Sequence, residues 1–374
     1  MIRQVFPRTF TAVRVSSRRA LLAALLTLVA FVVAPAGPAS ADDATVRVMT
    51  YNLYQGTDFE ELLGATTPGE FVAAVTTTYN NILATDRDAR AAAVARIIAR
   101  EKPDIVGLQE ATILRNGTLP PTNVVSDQLQ SLLSELDERG EQYRIVGILP
   151  GIDAAVPSTL GFFVRHTYRL AIIARDESRG RSPELSNHQI EQFFANLAFP
   201  TAVGVPFNNT RGWASVDVEV RDTRFRFVTT HLEAASPAIQ LAQAAELLAT
   251  AGNTALPTIM AADFNTTAND TSDPTFPTYQ LLIGAGFKDA WKTKFPTING
   301  FTCCQEDDVN NDASALSDRI DLILYRGDVS VESVKVVGAS PGDKTSSGLW
   351  PSDHAGVVAN LRIGRPGHHD DDDD

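Results

Sequence analysis

The chain has 374 residues, of which 44% are hydrophobic, 21% charged and 7% aromatic, which excludes a disordered, collagen-like or multi-span membrane protein. Asp and Glu outnumber Lys and Arg by 45 to 32, for a formal net charge of −13, so no broad basic surface for static nucleic-acid binding exists. Two cysteines exclude a disulfide-rich scaffold and any Cys-based zinc cluster.

The first 41 residues carry five arginines (Arg3, Arg8, Arg14, Arg18 and Arg19) and no acid. An apolar run over residues 20–34 follows, and then a segment ending in Ala39-Ser40-Ala41. This is the pattern of a secretion signal cleaved before Asp42. The apolar run is shorter than the ~20 residues a membrane span needs. Ser17-Arg18-Arg19 also fits a twin-arginine signal. The expected mature chain has 333 residues, with 27 basic against 45 acidic, and acts outside the cytoplasm as one large, monomeric domain. In an oxidising compartment the adjacent Cys303 and Cys304 either close a vicinal disulfide or stay reduced.

Residues 46–52 form an apolar-rich strand pattern. Residues 88–100 read as a helix, with Ala91, Val94, Ile97 and Ile98 on one face, Asp86 or Asp88 as cap, and Lys102-Pro103 as stop. Residues 105–108 read as a buried strand and 127–139 as a second amphipathic helix through Leu129, Leu132, Leu133 and Leu136. Strands are expected at 143–149, 170–174, 214–220 and 225–230, a helix at 238–250, and strands at 258–262, 320–325, 331–337 and 355–363. Residues 189–213 form an insertion without a clear pattern, with Phe193-Phe194 and Phe207 as its aromatics. His368-His369 and the five terminal aspartates form a charged tail. Strands outnumber helices and several are consecutive, which favours a mixed or antiparallel sheet system over a doubly wound parallel sheet.

Chemically competent residues border the strands. Asn52 ends one, Gln109-Glu110 another, His231 a third, and Asp263-Phe264-Asn265 a fourth. Arg319-Ile320-Asp321 and Ser352-Asp353-His354 sit near strand starts. In an antiparallel pair the end of one strand lies beside the start of its neighbour, so all six groups can meet at one sheet edge. Singly each is weak: a Glu after a strand is ordinarily a solvated strand end, and an Asp-His ordinarily a turn. The ordered set is specific. It resembles the endonuclease/exonuclease/phosphatase superfamily, over residues 46–361. Asn52 matches its first asparagine motif, Gln109-Glu110 its LQE motif, His231 its TH motif, Asp263-Phe264-Asn265 its GDFN motif, Arg319-Ile320-Asp321 its R-x-D motif and Ser352-Asp353-His354 its SDH motif. Ala262 stands where that family usually has Gly.

The resemblance implies an α+β fold, a four-layer α/β/β/α sandwich of two packed, largely antiparallel sheets, with a catalytic domain over residues 42–364. It implies a divalent-metal-dependent phosphoesterase. Convergent carboxylates at Glu110, Asp263, Asp321 and Asp353 cannot all stay ionised without compensating charge, and their hard oxygens suit Mg²⁺, or Mn²⁺ or Ca²⁺. Carried over by motif, Glu110 is the principal metal ligand, with Asn52 and Asp353 beside it. His354 is the base, oriented by Asp321. Asp263 and Asn265 position the nucleophile and a phosphate oxygen, and His231 donates to a phosphoryl or leaving oxygen. Arg211 is a candidate phosphate contact. The expected substrate is a phosphodiester, nucleic acid first, a phospholipid (in the manner of a sphingomyelinase) second, and a phosphomonoester third. A silent binding module on the same fold is the reading from another class, disfavoured because all six motifs are filled. His166 and His188, which have no motif context, read as surface or loop histidines, and Trp350 as packing.

Overall fold

The computed structural model describes residues 44–176, 182–204, 206–221 and 223–364. The expected leader and the charged tail lie outside these residues.

Alternation along the strands builds the layers. In the first strand, Ala44–Asn52, Val46 and Val48 point to one face and Met49 and Tyr51 to the other, and all four are buried. A strand buried on both faces needs a layer on each side. Val46 and Val48 pack with Ile105, Ile172, Phe225, Phe227 and Ile259 between two sheets. Met49 and Tyr51 pack with Val94, Ile98 and Leu132 from the helices Arg87–Glu101 and Gln128–Glu138. Beyond the second sheet, Val228, Met260 and Leu322 pack on Leu247 and Leu282 from the helices Pro237–Ala249 and Phe276–Gly284. The architecture is the expected four-layer α/β/β/α sandwich.

Among the described residues one sheet has eight strands. Its path runs Val329–Val337, Gly356–Ile363, Ala44–Asn52, Ile105–Gln109, Phe163–Arg175, Ile113–Gly117 and Asn123–Asp127, with Tyr143–Pro157 also paired to Phe163–Arg175. The other has six: Lys288–Asp289, Asp321–Arg326, Thr258–Asp263, Thr223–Thr230, Gly212–Val220 and Glu184–Gln192. Most pairs are antiparallel; Ala44–Asn52 with Ile105–Gln109 and Thr223–Thr230 with Thr258–Asp263 are parallel.

Local chemistry sets the helix ends. Asp86 caps the Arg87–Glu101 helix by accepting from Ala89 N–H at 3.2 Å, and Lys102 ends it in the left-handed region at φ 52°. Asp127 caps Gln128–Glu138 through Gln130 N–H. The helices Pro68–Ala84 and Phe276–Gly284 and the short Glu60–Gly64 and Ala290–Lys294 were not expected, although Thr67 and Glu70 form a reciprocal capping box at the start of the first. The strands expected at 143–149 and 170–174 run on to Pro157 and begin at Phe163. The chain absorbs Pro150 and Gly151 in an irregularity between Pro150 and Asp153 and keeps pairing. The 189–213 insertion contains the end of Glu184–Gln192 and a small hairpin, Leu197–Phe199 with Phe207–Asn209.

The two sheets approach closely at Gly107, two residues before Gln109. A Cβ on Gly107 would lie 2.3 Å from Thr229 Oγ1 and 2.7 Å from the Ala261 carbonyl, so only glycine fits. Two residues on, Gln109 ties the sheets together: its Nε2 donates to Thr229 Oγ1 at 2.9 Å, and its Oε1 accepts from Thr50 Oγ1 at 3.1 Å. No helix among the described residues is long and apolar enough to cross a membrane.

Candidate active site

Register alone gathers the motifs. Asn52 pairs with Gln109 across parallel strands, Asp263 with Asp321 across antiparallel ones, and His231 bridges to Asp263. Ser352 Oγ donates to the Asn52 carbonyl at 2.7 Å, which docks the Ser352–His354 loop on the end of the first strand. Gln305 N–H donates to the Asp353 carbonyl and Ala355 N–H to the Thr302 carbonyl, so the loop is held from the other side as well. Cys303 and Cys304, within that bracing segment, form a vicinal disulfide.

Asp263 is the centre. It is fully buried. Its Oδ2 accepts from Asn52 Nδ2 at 3.0 Å and lies 3.3 Å from His231 Nε2, while its Oδ1 accepts from Asn265 N–H at 3.0 Å. Burial, with Asp321 adding to it, pushes the Asp263 carboxyl up to about 6. Ala262, in the position of the family's glycine, pairs regularly with Leu322 and packs in the core, and it is not among the residues with positive φ. The methyl group costs the strand nothing in geometry.

His354 Nδ1 sits 2.8 Å from Asp321 Oδ2 and 3.9 Å from Asp263 Oδ2. A carboxylate only accepts, so the proton is on Nδ1 and Nε2 is the atom left for chemistry. Burial opposes charging the ring, but Asp321, Asp353 and Asp263 together raise its pKa well above the ordinary value. Asp321 is itself held by its N–H donating to Thr302 Oγ1 at 3.1 Å.

His231 behaves oppositely. Burial, with Arg211 and His354 nearby, lowers its pKa far below the ordinary value, so its ring is neutral. Its Nε2 faces Asp263, so that nitrogen carries the proton and Nδ1 accepts from the Tyr168 hydroxyl at 2.8 Å. The Tyr168 oxygen accepts in turn from Arg211 Nη1 at 3.4 Å, and the guanidinium lies 5.3 Å from the Tyr168 ring centre. Arg211 Nε is buried without a partner in the protein. Burial disfavours its charge, but Tyr168, Glu233, Glu110 and Asp263 more than restore it. Arg211 is therefore a charged donor with spare capacity beside the carboxylates.

Glu110 adopts the left-handed region at φ 54°, and one carboxylate oxygen accepts from Gln55 N–H at 2.7 Å. Asp353 is raised to about 7, first by burial and then by the Glu110 charge, against the opposing pull of His354 and Arg90. Two half-buried carboxylates close enough for the charge of one to raise the other suit a divalent cation. Asn52 is committed more heavily than expected: its amide nitrogen donates to Asp263 and its oxygen accepts from Tyr54 N–H at 2.9 Å. One lone pair remains on that oxygen for a cation. Asp263, Asp321 and His354 also lie close enough to share an ion, their ligand atoms being within 4.8 Å of one another. Their hydrogen bonds to each other leave Glu110 and Asp353 the freer pair. Asn265, expected to bind substrate, turns through φ 51° and spends one amide N–H on the Leu232 carbonyl at 3.0 Å.

Residues without motif context complete the site. Arg90 is buried in the Arg87–Glu101 helix and donates to the carbonyls of Leu53, Tyr54, Thr85 and Pro351, clamping the loops that carry Asn52 and Asp353. Its position a turn before Val94 and Ile97, at the border of the apolar face, was the available signal. His166 corrects the sequence reading: it lies inside the Phe163–Arg175 strand with its Nε2 buried and unpartnered, and it lines a cavity. His188 is exposed, as expected, on the strand Glu184–Gln192. Trp350 is fully buried and donates to the Asn311 carbonyl, a packing role as expected.

The family model described as "Endonuclease/Exonuclease/phosphatase family" matches residues 49–354, and the chain belongs to that family. Solved structures with this fold include a family protein from Leptotrichia buccalis C-1013-b, at 14% identity and a TM-score of 0.53, covering 84% of this chain and 99% of that one. One from Bacteroides thetaiotaomicron has 17% identity and a TM-score of 0.51, covering 86% and 99%. One from Beutenbergia cavernae DSM 12333 has 18% identity and a TM-score of 0.53, covering 86% and 72%. No curated protein matches the chain by sequence. Family members are phosphoester hydrolases, and many use divalent metals.

Proposed function

We propose that this protein is an exported phosphodiesterase that cleaves its substrate by in-line attack of water and depends on a divalent cation. Glu110 would hold the cation, with Asp353 and the free lone pair of Asn52 beside it. Mg²⁺ is the first choice and Mn²⁺ or Ca²⁺ the alternatives, since every donor is a hard oxygen. When bound, such a cation offsets negative charge on the phosphoryl oxygens.

The remaining steps belong to the chain's own side chains. His354, its Nδ1–H held by Asp321, presents Nε2 to take a proton from water. The carboxylates that raise its pKa make it the more basic of the two rings, and it acts as the base in the form whose Nε2 carries no proton. Asp263 and Asn265 hold the attacking water and a phosphate oxygen. Neutral His231, kept in one tautomer by Tyr168, turns its Nε2–H toward Asp263, and a phosphoryl or leaving oxygen would share or take over that donor. Arg211, on the lining of the cavity that also includes Glu110 and Tyr168, supplies a positive charge beside them.

The observation that carries this reading is the meeting of two oppositely tuned histidines on one buried aspartate. His354, ringed by carboxylates, is the more basic ring and His231, beside Arg211, the less basic, so the two can take different parts in proton transfer at a single phosphorus. Nucleic acid is the first phosphodiester to test, and a phospholipid the second. A panel of plasmid DNA, RNA, sphingomyelin liposomes and bis-p-nitrophenyl phosphate, each with Mg²⁺, tests the class and sorts the substrate. Cleavage of at least one, abolished in Asp263→Asn, is expected; inertness toward all four would refute the assignment. Export rests on the arginine-bearing leader and its Ala39-Ser40-Ala41 end. N-terminal sequencing of protein recovered from the medium is expected to start at Asp42; retention in the cytoplasm with Met1 intact would contradict it.

A further inference from the structure

A cavity of about 220 Å³ opens beside the active centre, and three rows of side chains run into it from the catalytic end. In a strand, residues two apart share a face. Along Phe163–Arg175, Tyr168, His166 and Val164 form the first row, and Tyr168 is the residue that touches His231. Ile152, Ala154 and Val156 line the same cavity from the neighbouring strand, with Ala154 opposite His166 and Val156 opposite Val164. Arg211, Asn209 and Phe207 form the third row. Two of the rows change from polar to apolar in the same direction, away from Arg211 and Tyr168. From Tyr168 to Val164 is about 13 Å of strand. The far end is closed by the Pro68–Ala84 helix through Phe71, Val75 and Tyr79.

Protein interiors are close-packed, and voids of this size are few. A dry apolar cavity of about 150 Å³ is enough to hold a benzene ring. His166 brings no charge into the cavity. Burial and the nearby Arg87 push its pKa down to about 3, and its neutral ring stands edge-on to Phe59 at 5.3 Å. The charged groups on the lining, Glu110, Glu233, Asp58 and Arg211, include three acids and one base, so a polyanion gains little there.

We infer that this cavity binds an apolar substituent of the phosphodiester substrate, placing the phosphate between Arg211 and Glu110. The inference rests on the phosphodiesterase reading and adds the substrate's chemical class: an amphiphilic phosphodiester, one arm of which is hydrocarbon.

The test uses the full chain with Mg²⁺ and a series of p-nitrophenyl alkyl phosphodiesters, from methyl to octyl, with the p-nitrophenolate leaving group held constant. The expected result is a rise in kcat/KM of about two- to fourfold for each methylene until the cavity is filled. Ala154→Phe, which narrows the cavity away from the catalytic groups, is expected to remove that gain and leave the methyl ester unchanged. A flat series, or a gain that survives Ala154→Phe, overturns the inference while the phosphodiesterase reading stands. If no ester turns over, that reading fails instead, and calorimetry with octyl methyl phosphate decides the cavity separately. Binding to the wild type and not to Ala154→Phe supports the inference; equal or absent binding overturns it.

Discussion

His354 and Asp321 form a unit, one ring nitrogen committed to a carboxylate 2.8 Å away and the other left for the substrate. Removing the ring in His354→Ala is expected to lower kcat by roughly 10²–10⁴-fold, the usual yield of a positioned acid or base. Asp321→Asn keeps the shape but offers Nδ1 an amide in place of a carboxylate. Because the two act together, the double variant is expected to lose little more than His354→Ala alone, measured as kcat on one chromogenic diester. Full additivity of the two losses would show that they work independently. At this scale the motif residues were legible because side chains competent for phosphoryl chemistry stood at strand ends in a fixed order. Tyr168, Arg90 and Thr302 were not. Tyr168 meets His231 across 63 residues of chain, and a tyrosine within a strand carries no pattern that names its partner.

Strands and sheets make their own predictions. Gly107 lies where the two sheets nearly touch, so Gly107→Ala must push Thr229 or the Ala261 backbone aside. Overpacking of this kind costs about 1–3 kcal/mol, which a shift in the urea midpoint reads. On the second sheet Asp217 accepts from Arg226 at 2.8 Å, and both side chains are at least nine-tenths buried. Burial alone would raise Asp217, but hydrogen bonds from Arg226 and Asn187 and the charges of Arg226 and Arg224 hold it below the ordinary value. A depressed carboxyl stabilises the fold above its unfolded pKa of about 4, and that contribution is lost as the pH falls through the folded value. Asp217→Asn is therefore expected to destabilise by about 3–5 kcal/mol at pH 7, by stranding Arg226, with the gap to wild type narrowing below pH 4. A gap constant from pH 7 to pH 3 would contradict this. The core strands and three helices were legible because periodicity of two or 3.6 is written directly in the apolar residues. The Pro68–Ala84 helix was missed because its run of threonines and asparagines masks the apolar stripe of Phe71, Val75, Tyr79 and Ile82. Ile113–Gly117 and Asn123–Asp127 were missed because most of their residues are only partly buried, so alternation is faint.

At the scale of the whole molecule, the four-layer stack brings strand ends from both sheets to one rim, and no single segment holds the site. Asn52, Glu110, His231, Asp263, Asp321 and His354 come from six separate places in the chain. The acidic balance of the sequence finds its local form there, in a cluster of carboxylates, Asp263 and Asp353 among them raised by burial and by their acidic neighbours, that calls for a cation. Topology was legible only through the ordered motif set, because pairing between strands as far apart as Ala44–Asn52 and Gly356–Ile363 leaves no local trace. The cavity beside the rim left none either, since its three rows and the helix that closes it come from separate segments whose apolar residues look like ordinary core. The most direct test strips the full chain with a chelator and follows bis-p-nitrophenyl phosphate turnover as Mg²⁺ is returned. Activity is expected to vanish on stripping and return saturably, with Glu110→Gln needing about 10–100-fold more metal; turnover that persists undiminished in excess chelator would contradict the account.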